Sequence, residues 1–283
     1  MGQGMERITS PHNPAVQAAR ALLQRRERQT ARAFLIEGMR IVEEAVQAGV
    51  TLRTLFLCPE MLGPAATTLV AGWSTNADRV VELAPAALRA LADTETPQGV
   101  IAVVDLPDTT MPVLHPRDAL VLVLDGVRDP GNVGTLIRTA AAAGCTAFVT
   151  TAGSADAFAP KVVRAAMGMH FRLPVIADVA WEWLGPTIAA LPVSYVTDGD
   201  ATLTYDTVDW TRGAAVVVGH EDRGVSPDAL AWCTGTVVIP MARDVESLNA
   251  AMSGAVVLFE ATRQRRNADI AINSLSHQGN TVE

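Results

Sequence analysis

Cysteines and long apolar runs are scarce in this 283-residue sequence. The three cysteines, Cys58, Cys145 and Cys233, lie far apart and form no CxxC pair, which argues against a metal site and a disulfide framework. Every apolar run is far shorter than the roughly 20 residues that a membrane-spanning helix needs. The first residues also lack the apolar core of a signal peptide. We therefore expect a soluble, cytoplasmic protein that binds no metal.

Lysine is scarcer still, because it occurs only at Lys161 and arginine carries almost all of the positive charge. The formal net charge of −8 argues against broad, non-specific binding of nucleic acid, since contacts to phosphate need cations. Residues 1–32 differ, because arginines there outnumber acidic residues. We interpret this arginine cluster either as a solvated helix face or as a surface for phosphate groups, which the forked guanidinium donors suit.

The order of predicted helices and strands indicates an α/β fold with two domains. Residues 1–106 alternate short strands and helices, beginning with an amphipathic helix over 12–28. Residues 107–118 are a proline-rich linker without periodicity. In residues 119–266 the strands are mostly continuous apolar runs, as expected for parallel strands covered on both faces. Residues 267–283 are a polar tail that we expect to fray.

The sequence VLVLDGVRDPGNVGTLIRTAAAAG, residues 121–144, is the first of three segments that carry chemical information. An apolar strand runs into a polar loop, and Asn132 then stands where the N-cap of a helix is expected. Arg138 lies outside the apolar stripe of that helix, and its side chain leans back toward the loop. We interpret Arg138 either as a ligand-site residue at the carboxyl end of a parallel strand or as an ordinary surface residue. The segment lacks the GxGxxG fingerprint of dinucleotide-binding enzymes.

The second segment, AAVVVGHEDRGVSPDAL over 214–230, is a buried strand followed by an acidic loop. The strand ends at Gly219, Glu221 follows in the loop, and Ser226 is expected to cap the next helix. Gly219 and Gly224 would let a ligand approach the backbone closely. A plain turn is the alternative interpretation.

The third segment, residues 235–266, contains a strand that ends at Ile239–Pro240, a charged loop and a long helix. Ser247 is expected to cap this helix over 247–264, with Asn249 in its first turn. The apolar stripe of the helix is predicted to run through Leu248, Met252, Ala255, Val256 and Phe259. Small residues at 250–255 favour close approach of another helix, either in a self-association face or within the core.

In this order and spacing, the three segments resemble the three motifs of the SpoU/TrmH family of RNA 2′-O-ribose methyltransferases, part of the SPOUT superfamily. The first two motifs are matched by Asn132, Gly134, Arg138, Gly219, Glu221 and Gly224. The third is matched by Ile239, Pro240, Met241, Ser247, Leu248 and Asn249. The opening sequence ITSPHNPAVQAARALLQRR is similar to the substrate-binding N-terminal domain of the family, a small α/β fold that resembles a ribosomal protein.

The resemblance implies a SPOUT catalytic domain with a deep trefoil knot in its C-terminal part and S-adenosylmethionine bound in that knot. It also implies a homodimer with the last helix in the interface. The residues that it assigns to the cofactor are Gly219, Ile239, Met241, Ser247 and Leu248. Because family members act on RNA, we expect RNA contacts at Arg20, Arg25, Arg26, Arg28 and Arg32, with Lys161, Arg164 and Arg172 as further candidates.

By the same resemblance, Arg138 is the catalytic arginine. A guanidinium keeps its proton, so we expect Arg138 to stabilise the alkoxide that develops from a ribose 2′-hydroxyl. Asn132, Glu221 and Asn249 would align the ribose and Arg138, with Glu221 paired to the guanidinium. His220 stands where the family usually has a small residue, and Ala251 stands where a serine is common.

The leading hypothesis is S-adenosylmethionine-dependent 2′-O-methylation of structured RNA, and 23S rRNA is favoured because a separate N-terminal domain is present. A transfer-RNA methyltransferase is one alternative. The other is a non-catalytic RNA-binding or ribosome-assembly factor on the same scaffold. The intact motif residues, Arg138 and Glu221 above all, argue against a non-catalytic role.

Overall fold

The apolar strands of the sequence assemble into two separate sheets in the computed structural model of the chain, one in each of two folding units. The structure describes residues 6–108, 110–242, 245 and 247–278. The first unit is Met1–Asp108 with Asp156–Arg172, and the second is Thr109–Ala155 with Leu173–Glu283. Segment 156–172 therefore groups with the first unit, although it lies in the stretch of sequence expected to form the second domain.

Strands and helices alternate along most of the described chain. The strands are β1 (Glu6–Ile8), β2 (Ala33–Glu37), β3 (Leu52–Leu57), β4 (Val80–Leu83), β5 (Val100–Asp105), β6 (Leu120–Asp125), β7 (Ala147–Thr151), β8 (Val175–Val179), β9 (Val193–Thr197), β10 (Ala214–Gly219) and β11 (Gly235–Val237). The helices are α1 (Pro14–Ala21), α2 (Arg25–Ala31), α3 (Met39–Gln47), α4 (Pro64–Trp73), α5 (Pro85–Leu91), α6 (Pro130–Ala142), α7 (Pro160–Ala165), α8 (Trp181–Ala189), α9 (Pro227–Trp232) and α10 (Ala250–Gln278). Within the described ranges, no helix combines the length and the apolar composition that crossing a membrane requires.

The sheet of the first unit is mixed, with the strand order β1-β4-β3-β5-β2. Strands β1, β4 and β3 are parallel, and β5 runs antiparallel to β3 and β2. Apolar side chains of α1 and α5, such as Val16 and Leu88, join strand residues in a buried cluster. Segment 156–172 packs on β2 through aromatic rings, because the centroid of Phe34 lies 5.2 Å from that of Phe158 and 6.2 Å from that of Phe171.

The helix expected over 12–28 is two helices, because the chain leaves the helical path after α1. Arg28 in α2 is only 3% exposed, and its Nη1 donates to the carbonyl oxygens of Leu22 (2.7 Å) and Leu23 (2.8 Å). Its Nη2 pairs with Asp156 at 2.5 Å. The guanidinium therefore satisfies carbonyls that the end of α1 leaves without helical partners. The structure thus contradicts the prediction of Arg28 as an RNA contact, since its side chain is buried and both terminal nitrogens are engaged within the first unit.

The sheet of the second unit is parallel in all of its described strands, with the order β11-β9-β10-β6-β7-β8. The adjacent strands β10 and β6 are buried and pair in register from Ala214 with Leu120 to Gly219 with Asp125. Because the strands all run the same way, their carboxyl ends meet at one edge of the sheet. The loops that follow β6, β10 and β11 therefore lie along that edge.

Helix α10 packs on α6 and β10 through its small residues. Ala251 and Gly254 are buried, and a Cβ added to Gly254 would lie only 2.6 Å from the Cδ2 of Leu136. The small-residue face is therefore core, which was one of the two alternatives from the sequence. The predicted apolar stripe is wrong in part, because its members Met252 and Phe259 are each 50% exposed. The buried face lies directly beside the predicted stripe, since the buried Ala251 immediately precedes the exposed Met252.

Helix α10 begins and ends later than the sequence predicted. It spans Ala250–Gln278 rather than 247–264, so most of the expected polar tail is helical, and residues 279–283 lie outside the described ranges. The predicted cap at Ser247 is also wrong. The Oδ1 of Asn249 accepts hydrogen bonds from the backbone N–H groups of Ala251 (2.9 Å) and Met252 (3.3 Å) instead. An asparagine at this position satisfies the first turn of the helix directly.

Candidate active site

Two of the three loops singled out in the sequence, those after β10 and β11, line a cavity at the carboxyl edge of the parallel sheet, which we call the strand-end cavity. Its volume is about 530 Å³, within the range of small-molecule sites. The loops after β9, β10 and β11 and the start of α10 form its walls. All five residues that the resemblance assigned to a cofactor line it, namely Gly219, Ile239, Met241, Ser247 and Leu248. The structure therefore brings this set together, and its binding role stays a prediction.

A tight turn over residues 219–224 forms one wall of the strand-end cavity. His220 and Gly224 exchange two backbone hydrogen bonds of 2.9 Å each. A Cβ added to Gly219 would lie 2.5 Å from the carbonyl carbon of Gly224, so a side chain at Gly219 would force the turn open. The φ angle of Gly224 is +67°, in the region that favours glycine. The two glycines thus fix the shape of the turn and with it the position of Glu221 after the end of β10.

A chain of side-chain hydrogen bonds connects the three motifs. The Nδ2 of Asn249 donates to the Oδ1 of Asn132 at 3.0 Å, and the Nδ2 of Asn132 donates to the Oε1 of Glu221 at 2.6 Å. Asn249 is held in turn by the first turn of α10. Each amide is oriented by its neighbours, so the carboxylate of Glu221 is held in one direction. The three residues predicted to align a substrate are therefore in contact with one another.

The helix caps around this network differ in part from the prediction. Asn132 is not the N-cap of α6, because Asp129 takes that position and its Oδ1 accepts from the backbone N–H of Asn132 at 2.8 Å. Pro130 follows as the first helical residue, which its fixed φ favours. The side chain of Asn132 is thereby free to bind Glu221. The prediction of Ser226 as the N-cap of α9 is confirmed, since its Oγ accepts from the N–H of Ala229 at 3.2 Å.

Arg138 lies on the exposed surface of α6, six residues after Asn132. Among the described residues, no side chain or carbonyl pairs with its guanidinium, and Arg138 lines neither cavity at the strand ends. The expected ion pair between Glu221 and Arg138 is absent from the described contacts, because Glu221 binds Asn132 instead. The guanidinium of Arg138 therefore has no structural role in the contacts of the described residues.

Asp125, at the end of β6, is a buried carboxylate that anchors the second motif and that the sequence analysis did not single out. Its Oδ1 accepts hydrogen bonds from Thr151 Oγ1 (3.0 Å) and Trp181 Nε1 (2.8 Å). Its Oδ2 accepts from the backbone N–H of Ser226 at 2.6 Å. A buried charge is stable only with such partners. An aspartate at the end of an apolar run was the only available signal.

Two further carboxylates at the strand-end cavity were also missed. Asp198 and Asp200 follow β9, and both line the cavity. The Oδ1 of Asp198 accepts from the backbone N–H of Asp200 at 3.0 Å, which closes the loop. The signal was the sequence TDGD directly after a buried strand, since polar groups at the carboxyl ends of parallel strands contact ligands.

The N-terminal arginines differ in their availability. Arg20, Arg25, Arg26 and Arg32 are exposed, although a nitrogen of Arg32 lies 3.8 Å from a carboxylate oxygen of Asp108. Arg164 pairs with Asp93 at 2.6 Å, and Arg172 pairs with Glu44 at 2.7 Å. Arg28, Arg164 and Arg172 are therefore each engaged with a carboxylate within the first unit.

The half-buried thiols of Cys145 and Cys233 stay protonated near neutral pH, which makes them poor nucleophiles. Burial raises the pKa of both Cys145 and Cys233 to about 12, because a thiolate is poorly solvated there. Burial also raises the pKa of Cys58. In the part of the chain that the structure describes, no three histidine, cysteine, aspartate or glutamate side chains are grouped as metal ligands.

Known proteins match both parts of the chain. The family model of the SpoU rRNA Methylase family matches residues 119–259, and that of the MRM3-like substrate binding domain matches residues 13–102. The 23S rRNA (guanosine(2553)-2′-O)-methyltransferase RlmP of Bacillus subtilis (strain 168) is 32% identical, over 90% of this chain and 98% of its own. The 23S rRNA (uridine(2479)-2′-O)-methyltransferase of Streptomyces viridochromogenes is 34% identical, over 92% of each chain.

A solved structure is also similar along nearly all of the chain. It is the AdoMet-bound rRNA methyltransferase of Sinorhizobium meliloti, with a TM-score of 0.81 and 29% identity. The match covers 92% of this chain and 98% of that chain. The similarity therefore extends well beyond the three motif loops.

Proposed function

This chain belongs to the SpoU rRNA methylase family, and from that membership we propose that it transfers a methyl group from S-adenosylmethionine to a ribose 2′-hydroxyl of ribosomal RNA. The observation that carries the proposal is the chain of hydrogen bonds from Asn249 through Asn132 to Glu221, which joins the three motifs beside the strand-end cavity. The favoured substrate is 23S rRNA, because the Bacillus and Streptomyces relatives are named for 2′-O-methylation of that RNA.

The strand-end cavity fits S-adenosylmethionine in size and chemistry. Its wall combines the bare backbone at Gly219 with apolar side chains such as Ile239 and Leu248, which suit a purine ring. Asp198 and Asp200 offer carboxylates for hydroxyl and ammonium groups. When bound, the cofactor supplies a methyl group on a positively charged sulfur whose departure leaves a neutral thioether. The five cofactor residues predicted from the resemblance would hold it.

The residues of the chain act by positioning and by charge stabilisation. Arg138 keeps its proton, so it stabilises the negative charge that develops on the 2′-oxygen and orients the neighbouring phosphate. The hydroxyl proton passes to that phosphate or to water. Glu221, Asn132 and Asn249 hold the ribose in line for attack, which converts an encounter of two molecules into a reaction within one complex.

A homodimer through α10 is supported by apolar side chains that this chain alone leaves uncovered. Met252, Phe259 and Ile270 are 50%, 50% and 60% exposed. Their separations of 7 and 11 residues place them within about 20° of each other around a helix of 3.6 residues per turn. Such an aligned apolar stripe on the surface is typical of an interface.

The remaining expectations from the resemblance belong to the same proposal. Residues 1–106 would be the RNA-binding domain and residues 119–266 the catalytic domain, with 107–118 between them and a trefoil knot in the C-terminal part. The exposed arginines Arg20, Arg25, Arg26 and Arg32 would contact RNA. The protein would act in the cytoplasm, as the two bacterial 23S rRNA relatives suggest.

The test is transfer of tritium from methyl-labelled S-adenosylmethionine to unmodified 23S rRNA, followed by digestion to nucleosides. We expect label in a single 2′-O-methylnucleoside and none in the bases. Label in a base would contradict the assignment to ribose. No label in 23S rRNA, with label in transfer RNA, would move the substrate to the alternative class.

A further inference from the structure

We propose that Arg128 and Arg223, together with His220, bind phosphates of the RNA backbone next to the target nucleotide. This inference rests on the proposed function and adds a substrate subsite to it. A groove of about 570 Å³ follows the ends of β6 and β10, and these three residues line it. His220, Glu221 and Arg223 also line the strand-end cavity, so the groove opens directly beside it. A strand of RNA in the groove would therefore present its ribose at the cavity.

The two arginines have no internal partner among the residues that the structure describes. Arg128 and Arg223 are exposed, and neither takes part in a described hydrogen bond or ion pair. Many other arginines of this chain are engaged, as in the pairs that Arg53 forms with Asp105 and Arg263 with Glu260. Guanidinium groups left free on two neighbouring strand ends are suited to phosphate oxygens, which accept their forked donors.

His220 contributes a neutral donor to the same groove. Its Nδ1 accepts a hydrogen bond from the backbone N–H of Asp222 at 3.1 Å. The ring proton of the neutral imidazole therefore sits on Nε2, which can donate to a phosphate or sugar oxygen. This assigns a function to the residue that departs from the family pattern.

Three carboxylates also line the groove, and they determine how the proposal is tested. Asp129 caps α6, and Glu221 binds Asn132. The carboxylate of Asp222 has no partner among the described contacts and is exposed. Its negative charge opposes a nearby phosphate. Removal of the Asp222 charge should therefore tighten RNA binding, the opposite of what removal of an arginine does.

Register in the sheet provides a matched control. Arg128 and Arg223 follow the paired strand ends Asp125 and Gly219, whereas Arg117 and Arg212 precede the paired strand starts. A six-residue strand spans about 20 Å, so the second pair lies at the opposite edge. Arg117 and Arg212 are exposed as well. Replacing Arg117 and Arg212 therefore removes the same charge as replacing Arg128 and Arg223, but at the opposite ends of the same two strands.

The experiment measures equilibrium binding of unmodified 23S rRNA against salt concentration for the full-length protein. R128A/R223A should weaken binding at least tenfold and lower the salt slope by about 2, while R117A/R212A leaves both unchanged. D222N should tighten binding, and H220A should weaken it severalfold without changing the salt slope. All variants should keep the melting temperature of the unmodified protein, which shows that they are folded.

The proposal is overturned if R128A/R223A binds like the unmodified protein, if R117A/R212A weakens binding equally, or if D222N does not tighten it. These outcomes are distinct from failure of the proposed function. That failure would appear in the unmodified protein as absence of methyl transfer to rRNA, whatever the RNA affinity of the variants.

Discussion

Two groups of arginines, one in the first unit and one near the strand ends of the second, differ in what surrounds them. In the first unit, Arg28, Arg164 and Arg172 are paired with carboxylates of the same unit at 2.5–2.7 Å. Around the strand ends of the second unit, Arg128 and Arg223 have no described partner, and the same holds for Arg138 on α6. Position along the chain and local charge do not distinguish the two groups. The difference appears only in what surrounds each guanidinium.

This difference changes how an acidic protein can act on RNA. A net charge of −8 leaves little general attraction for phosphate, so binding must rely on a few arginines that are not neutralised internally. Paired arginines stabilise the fold and contribute little to a ligand. Arginines without a partner among the described residues are the ones to which chemistry should be assigned.

The largest effect is expected at Arg138. We expect Arg138→Ala to lower kcat by about 10³-fold, because one donor to a developing oxyanion is lost. S-adenosylmethionine binding and the melting temperature should not change, since no described contact depends on this guanidinium. Single-turnover methyl transfer to 23S rRNA measures the loss. Near-normal turnover in the variant would remove Arg138 from the mechanism.

Arg28→Ala should show the reverse behaviour, with loss of stability rather than of chemistry. The change leaves the half-buried Asp156 without its partner and frees two carbonyl oxygens, at a cost of about 3 kcal/mol in the free energy of unfolding. Denaturant unfolding measures it. Arg26→Ala, an exposed neighbour in the same helix, is the control and should change stability by less than about 0.5 kcal/mol. Equal effects of the two changes would break the division between paired and free arginines.

The exposed apolar side chains of α10 likewise have no partner among the described residues, and we expect them to find one in a second copy of the chain. Phe259→Glu with Ile270→Glu should convert a dimer into a monomer, because two charges would be buried in the proposed interface. Light scattering after size exclusion measures the mass. Glu260→Gln, on the neighbouring face, should leave it unchanged. A monomeric unmodified protein would contradict the proposed homodimer outright.

His170 tests how firmly segment 156–172 belongs to the fold of the first unit. Burial lowers its pKa to about 4, while its Nε2 donates to the carbonyl of Ala157 at 2.7 Å. Below pH 6.5 the unfolded chain binds a proton that the folded chain does not, so stability falls as the pH falls toward 4. Between pH 6.5 and 5 the loss should be about 1.5 kcal/mol.

His170→Gln provides the control for this pH dependence, because glutamine can still donate to Ala157 but does not titrate. Denaturant unfolding at a series of pH values should give a shallower slope for the variant than for the unmodified protein. The same slope in both proteins would show that other groups cause the acid sensitivity.

Much of the catalytic unit could be predicted from the sequence because its signals are local. Apolar runs that end in glycine, aspartate or proline marked β6 and β10, and the three motif loops follow from their parallel order. The resemblance to the family motifs singled out the five predicted cofactor residues, which line one cavity, and the Asn132–Glu221–Asn249 group, whose side chains form one chain of hydrogen bonds. The caps at Asn132 and Ser247 were misplaced because Asp129 and Asn249 also favour that position.

What could not be predicted depends on contacts between distant segments. The break between α1 and α2 is tied to Arg28, whose partner Asp156 is 128 residues away. The membership of segment 156–172 in the first unit has the same cause, since rings on β2 pack on it. No periodicity in either stretch carries that information. The role of Asp125 was equally hidden, because its three donors come from three different parts of the chain.

The most direct test of the account is calorimetric titration of the full-length protein with S-adenosylmethionine. We expect one site per chain, and loss of binding in Ser253→Phe, which puts a ring into the strand-end cavity. Asn267→Phe, on an exposed position of the same helix outside that cavity, should bind like the unmodified protein. No heat of binding in the unmodified protein, or full binding in Ser253→Phe, would contradict the assignment of the strand-end cavity to the methyl donor.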